Sequence, residues 1–475
     1  MNGKSTKEAI KMTTFPAFSP DDILHDLTSR VSAGAVVTDP AELQKFSYST
    51  NMTGEGAGLA LAIVEAADTA DIQGTLATAR KYHVPIVPQS AHTSTVIGAD
   101  GIPGSIILST LKMNKIIEIS KPDGLAVVQP GVINGDLDKA ARAQGMFYAP
   151  DPGSKPISSI GGNVSTNAGG MSTVRYGATK DNVLGLKVVL ADGRVIKVGG
   201  RTMKQAFGYD LTQLFIGSEG TLGIVTEITV KLLPIPLGTP VMGMAFFPNM
   251  TQLAKAVAAI RISGVGPTML EALDGNTVAA LDTYRHTHYA DNNESMLIFR
   301  IDSSTPATEN LMEKLLGEYD GTHISVTTDP QQQADLQQMR QDMLPAVFAG
   351  QNHIMEDMAL PLSQLAPMMD YIAALGTKLG LKIYTAGHAG DGNVHPTLVW
   401  PEDEKEVPTA VVEALQDMFH KTLALGGTIS GEHAVGMIKN QWNNAELGPD
   451  VDYLQHQIKA LFDPMNILNP KRKIN

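Results

Sequence analysis

The chain has 475 residues, more than one hydrophobic core usually serves, so two or three domains are expected. Its formal net charge of −13 argues against nucleic acid as a partner and against simple electrostatic attachment to an anionic membrane. It contains no cysteine, which excludes disulfides, thiolate metal sites and iron–sulfur clusters and leaves histidine and carboxylates to hold any metal. No apolar run is long enough for a spanning helix, and the first fifteen residues lack the apolar stretch of a secretory signal. A cytoplasmic protein without an integral membrane segment is the expectation.

In chain order, SPDDILHDLTSRVS (19–32) predicts a helix with Ser19 as N-cap, and PAELQKFSYS (40–49) a second, shorter one. ALAIVEA (60–66), TADIQGTLATARKYH (69–83) and VPIVPQ (84–89) alternate strand, amphipathic helix, strand. Residues 105–132 read as consecutive strands, and NGDLDKAARAQG (134–145) as a helix closed by Gly145. Residues 150–182 show almost no regular pattern, and loops of that length inside a domain are usually functional. VLGLKVVLADGRVIKV (183–198) predicts a hairpin turning at Asp192-Gly193, and GIVTEITVKLLP (223–234) a strand stopped by Pro234. The Pro/Gly-rich PIPLGTP (234–240) marks a domain boundary. Beyond it, strands and helices alternate as in an antiparallel sheet with helices on one face.

Three loops rich in small residues fall in the first half: PQSAHTSTVIGADG (88–101), DPGSKPISSIGGNVSTNAGG (151–170) and GSEGTLGIVTEITV (217–230). None is a Rossmann fingerprint or a P-loop. Each exposes backbone N–H groups and hydroxyls suited to a pyrophosphate, and together they fit one elongated ligand. In the second half, GHAGDGNVH (387–395) places two histidines seven positions apart. A helix would hold them about 10 Å apart and a strand roughly 23 Å. A tight loop, permitted by Gly387, Gly390 and Gly392, can bring both to one metal ion. The alternative is a pair of turn-flanking residues with ordinary hydrogen bonds. HTH (286–288) has a similar spacing but lies in a polar turn and reads as surface.

The motifs PQSAHTSTVIGAD, FYAPDPGSKPISSIGGNVSTNAGG, VRYGATKDNVLGLKVVLADG and GSEGTLGIVTEITVKLLP resemble the FAD domain of the vanillyl-alcohol-oxidase/PCMH flavoproteins. With GHAGDGNVH, SGEHAVG and LFDPMNILNP, the chain is similar to the D-2-hydroxyacid dehydrogenase branch, from about residue 40 to the end. That branch includes D-lactate dehydrogenase and the glycolate oxidase FAD subunit. The resemblance implies an α+β fold: a two-lobed FAD-binding domain at 1–236, a substrate (cap) domain at 237–425, and a C-terminal segment, 426–475, returning to the FAD domain.

It also implies site residues. Pro88, Gln89, Ser90, Ala91, His92, Thr93 and Ser94 match the loop that wraps the FAD pyrophosphate. Gln89, Ser90 and His92 stand where the family has arginine and two glycines, and His92 lies one place before the position matching the family's covalent histidine. Asp151, Pro152, Ser154, Gly161, Gly162, Asn163, Thr166, Asn167 and Gly169 match the second FAD loop, followed by Asp181. Glu219, Gly220 and Ile224 match the strand beside the adenine half. His388, His395 and Glu432 match the ligands of a divalent metal (Zn, Mn, Fe or Co), His433 the general base, and Arg340 the grip on the substrate carboxylate. Asp391 and Asn393 are expected to brace the metal loop.

The expected activity is FAD-dependent oxidation of a small D-2-hydroxy acid to the 2-oxo acid, with D-lactate favoured and glycolate next. Electrons would pass to a quinone, an electron-transfer flavoprotein or a cytochrome. Peripheral membrane contact and a homodimer stay open. The competing readings are an oxidase or non-redox enzyme on the same fold, and a non-catalytic subunit of a flavoprotein complex.

Overall fold

The computed structural model describes residues 18–49, 57–289 and 293–474. Strands Val36–Val37, Ala62–Glu65, Ile106–Ser109 and Ile86–Gln89 lie side by side in that order, the last three parallel. Helix Thr69–Tyr82 crosses over between them. Asp68 caps it by accepting from Ala70 N and Asp71 N, and His83 ends it in the left-handed region. Its Ile72, Leu76 and Ala79 recur at helical spacing and are buried against the sheet and against Leu27 of helix Pro20–Arg30.

A second sheet runs Ile116–Ser120, Leu125–Val128, Ile224–Lys231, Val183–Val189, Val195–Gly199, every pair antiparallel. The hairpin between the last two strands turns at Gly193, whose φ of +88° suits a residue without a Cβ. Two details differ from the sequence reading. Helix Asn134–Arg142 stops three residues before Gly145, which takes φ +77° in the following turn. The 150–182 segment is folded rather than irregular, carrying helices Ile160–Thr166, Thr173–Tyr176 and Thr179–Asn182. They are too short to show a hydrophobic period, so no pattern announced them.

The third sheet spans Thr239 to Pro401 and is antiparallel throughout. Odd-numbered apolar residues of strand Thr239–Phe247 face helices Met250–Ile262, Pro306–Glu318, Leu362–Leu379 and Thr409–Ala424. Its even-numbered Met242 and Phe246, with Met269, Leu273, Met296 and Ile298, face helices Gly275–Arg285 and Pro330–Phe348. These two helices cover the second face, so the sheet carries helices on both faces where the sequence pattern suggested one, and the site opens beside them.

The C-terminal residues pack back on the first sheet. Asn469 N donates to Ile86 O, and the buried Lys459 ammonium reaches Thr221 O, Leu468 O and the Asp463 carboxylate. Among the described residues, no helix is long and apolar enough to cross a membrane.

Candidate active site

One cavity of about 980 Å³, at the upper end of the ligand-pocket range, runs between the small-residue loops and the second face of the third sheet. Its lining includes residues 88–94, Asp151, Pro152, Ser154, Gly161, Gly162, Asn163, Thr166, Gly169, Glu219, Gly220 and Ile224. Arg340, His388, His395, Glu432 and His433 line the same cavity. Two expected cofactor residues do not line it. Asn167 caps a helix in the left-handed region and accepts from Lys180 N, while the Asp181 carboxylate accepts from Ala178 N. Both side chains serve their own backbone.

The 88–94 loop makes a left-handed turn at its histidine. His92 has φ +54°, a conformation that glycine adopts freely and other residues rarely do. Its Nε2 lies 2.9 Å from Asp100 Oδ1. Asp100 is itself held by Ser49 N, and its carbonyl by the buried Arg472 guanidinium. Gln89 donates to Phe46 O and Ala99 O, and its buried Oε1 has no partner among the described residues. A buried acceptor left open on a cavity wall is available to a ligand N–H or O–H. Ser159 Oγ donates to Ser90 Oγ at 2.7 Å and so joins the first loop to the second. Burial pushes the Asp151 carboxyl up to about 6, against hydrogen bonds from Ser172. These walls fit FAD: they are rich in glycine, serine and threonine and leave the Gln89 Oε1 acceptor open.

At the other end, strands Ile383–Gly387 and Asn393–Pro401 form a hairpin that closes the histidine loop. Gly392 is required there: with φ +86°, any Cβ would strike Leu360 O. His388 Nε2 lies 3.1 Å from Glu432 Oε1 and His395 Nε2 lies 3.4 Å from the same oxygen. Ligands about 2.1 Å from one tetrahedral ion stand about 3.4 Å apart, so these two separations suit a divalent metal, and all three ligand atoms lie within 4.8 Å of one another. The strap 428–437 delivers Glu432. Asp357 Oδ2 accepts from both Glu432 N and His433 N, and Ala434 turns through φ +73°. The His433 ring then stacks on His395, centroids 5.0 Å apart.

The electrostatics favour a cation between the histidines. Burial works against a charged His388, but the Glu271 and Glu432 carboxylates outweigh it and hold the imidazole well above its ordinary value. Burial likewise opposes ionised Glu432, and His388 and His395 overcome it, keeping the carboxyl well below its usual range. Asp357 is pushed down to about 2, because the charges of His433, Lys439 and His395 exceed its desolvation. His433 shifts the other way: burial depresses it, only partly offset by Asp357. Burial raises Asp391 to about 6, and its Oδ1 accepts from Asn393 N while Asn393 Nδ2 donates to Asp357.

Four residues at this end escaped the sequence reading. Glu271 is fully buried, Glu356 and Asp357 sit behind His395, and the Lys439 ammonium lies 3.0 Å from Glu356 Oε2. One signal existed. Glu271 occupies a core-facing position in MLEAL, between Met269 and Leu273, where an unpaired charge is not stable.

Residues 60–199 match the FAD binding domain family and residues 240–472 the C-terminal domain family of FAD linked oxidases. The chain is 36% identical to glycolate oxidase subunit GlcD of Bacillus subtilis, over 91% of this chain and 93% of that protein. It is 32% identical to D-lactate dehydrogenase of Anaerostipes hadrus, over 86% and 88% of the two chains. Among solved structures it is similar in fold to 4-ethylphenol oxidase from Gulosibacter chungangensis (TM-score 0.76, 16% identity, 96% of this chain and 97% of that one). The chain belongs to the PCMH-type FAD flavoproteins, in the branch of glycolate oxidase subunit GlcD and D-lactate dehydrogenase.

Proposed function

We propose that the protein oxidises a small D-2-hydroxy acid, D-lactate in preference to glycolate, to the 2-oxo acid. The observation that carries this is the meeting of Arg340, the His388/His395/Glu432 triangle and His433 on one wall of the cavity lined by the FAD loops. The relatives' names point to glycolate and D-lactate. When bound, FAD supplies the two-electron acceptor for the C2 hydrogen and its electron pair. A divalent ion held by His388, His395 and Glu432 supplies Lewis acidity that lowers the pKa of a nearby hydroxyl.

The chain's own residues do the rest. Arg340 spends Nε on Glu271, and among the described residues its two Nη groups have no partner. They offer a fork for the substrate carboxylate. His433, kept neutral by burial, accepts the hydroxyl proton at neutral pH. Met171, Met343, Leu344 and Met355 line the cavity with apolar surface and favour a short side chain at C2. The reduced protein then passes electrons to a quinone, an electron-transfer flavoprotein or a cytochrome.

The test is the visible spectrum of the purified protein, before and after anaerobic addition of D-lactate and, separately, L-lactate. Flavin bands that bleach with the D isomer alone are expected. Bands unchanged by D-lactate and glycolate would refute the substrate assignment, and peroxide formed in air at the rate of turnover would move the protein to the oxidases.

A further inference from the structure

We infer that Glu271 is a positioning residue that sets the substrate arm and the metal arm of the site with a single carboxylate. This rests on the roles proposed above for Arg340 and His388. Glu271 is fully buried on strand Met269–Leu273, far in sequence from both partners. Its Oε2 accepts from Arg340 Nε at 2.6 Å and its Oε1 lies 2.7 Å from His388 Nδ1. Arginine is an obligate donor, and a carboxylate is acceptor-only, so the bond to His388 requires its proton on Nδ1. With Nδ1 committed to Glu271, Nε2 is the nitrogen turned to the triangle with His395 and Glu432 and is the one that a metal would take in place of its proton. The same carboxylate orients the guanidinium through Nε and leaves both Nη groups toward the cavity.

The two histidines are braced unequally. His395 Nδ1 has a neutral acceptor, Glu356 O at 3.3 Å, where His388 has an anion. The carboxylate, through His388, therefore gives the triangle its strongest orienting bond. Glu271→Gln makes the demand visible, because both partners donate and glutamine has one acceptor oxygen. If that oxygen keeps Arg340, the amide N–H₂ faces His388 Nδ1 and forces the proton to Nε2, where it blocks the ligand lone pair. If the oxygen keeps His388, the amide N–H₂ meets Arg340 Nε–H and displaces the guanidinium. One arm must fail while side-chain volume is unchanged.

The experiment uses the full-length, FAD-loaded protein and its E271Q variant, with Asp274→Asn as a half-buried, hydrogen-bonded carboxylate control away from the cavity lining. Affinity for Zn, Mn or Co is measured by metal titration of chelator-treated protein, KM and kcat for D-lactate are taken separately, and Tm is recorded. Expected for E271Q is a loss of about 10- to 100-fold in metal affinity, or a KM increase of comparable size, beyond anything D274N shows at equal loss of Tm. Wild-type metal affinity and KM in E271Q overturn the inference, as do losses matched by D274N. Should E271Q fail to fold, Glu271→Asp serves: it keeps the charge but is one methylene too short to reach both partners, and wild-type values there also overturn the proposal. A wild-type protein that binds none of these metals refutes the metal assignment instead, and the KM arm still decides on Glu271.

Discussion

Gly169→Ala is a small change with a calculable effect. Gly169 lies on the second cofactor loop, in a backbone conformation that alanine tolerates, so no strain arises from φ. A methyl placed there stands 3.2 Å from Glu432 Cβ and closer still to its Oε2. Restoring an ordinary separation of about 3.5 Å moves that carboxylate by about 1 Å. Glu432 Oε1 is the oxygen that lies 3.1 Å from His388 and 3.4 Å from His395, so the whole triangle opens. Overpacking of this kind costs about 1–3 kcal/mol of stability. A displacement of about 1 Å at a reacting centre costs on the order of 100-fold in rate. The assay is kcat/KM for D-lactate, with metal and FAD content measured on the same preparation. Lowered metal affinity and kcat/KM with FAD retained are expected. Wild-type kcat/KM and metal affinity in G169A would refute the placement of Glu432 against the cofactor loop.

Three further outcomes are expected. His433→Gln should lower kcat by about 100- to 10,000-fold, the usual worth of a general base, while flavin absorbance and metal titration stay at wild-type values. His92→Gly relieves roughly 1 kcal/mol of left-handed strain but leaves buried Asp100 Oδ1 short of a partner, a loss of about 1–3 kcal/mol, so Tm should fall slightly. Asp138 is opposed by burial, yet Lys155 and Arg142 hold its carboxyl below the usual range. Its stabilising contribution is present above an unfolded carboxylate value of about 4 and is lost as pH falls through the lower folded value. Urea unfolding between pH 7 and pH 3 should therefore show a shallower acid decline in D138N than in wild type.

The parts of the site legible in the sequence are those written as contiguous motifs. The three small-residue loops reveal themselves by composition, and His388 and His395 by a loop whose glycines let the chain double back. Glu271 and Asp357 sit in stretches without a motif. They matter through partners such as His388, 117 positions from Glu271, and only folding makes that pairing. The short helices of 160–182 are hidden for a different reason: at four to seven residues none is long enough to show an apolar period, even where Ile160 and Val164 enter the core. His92 shows a third limit. Nothing in its residue type announces the left-handed backbone, φ +54°, that the structure gives it.

The strap 428–437 is stitched first to one half of the molecule and then to the other. Thr428 pairs with Ala359, and the N–H groups of Glu432 and His433 enter the Asp357 carboxylate. Those of Val435 and Gly436 enter the Glu219 carboxylate, and Met437 N reaches Val96 O. Anyone building chimeras among these flavoproteins, to graft a new acid specificity onto a proven cofactor lobe, inherits this wiring. A crossover at the Pro/Gly-rich boundary near residue 236 transplants the strap with the cap but leaves Glu219 behind. Such a hybrid will be productive only where the recipient lobe offers a carboxylate at that socket.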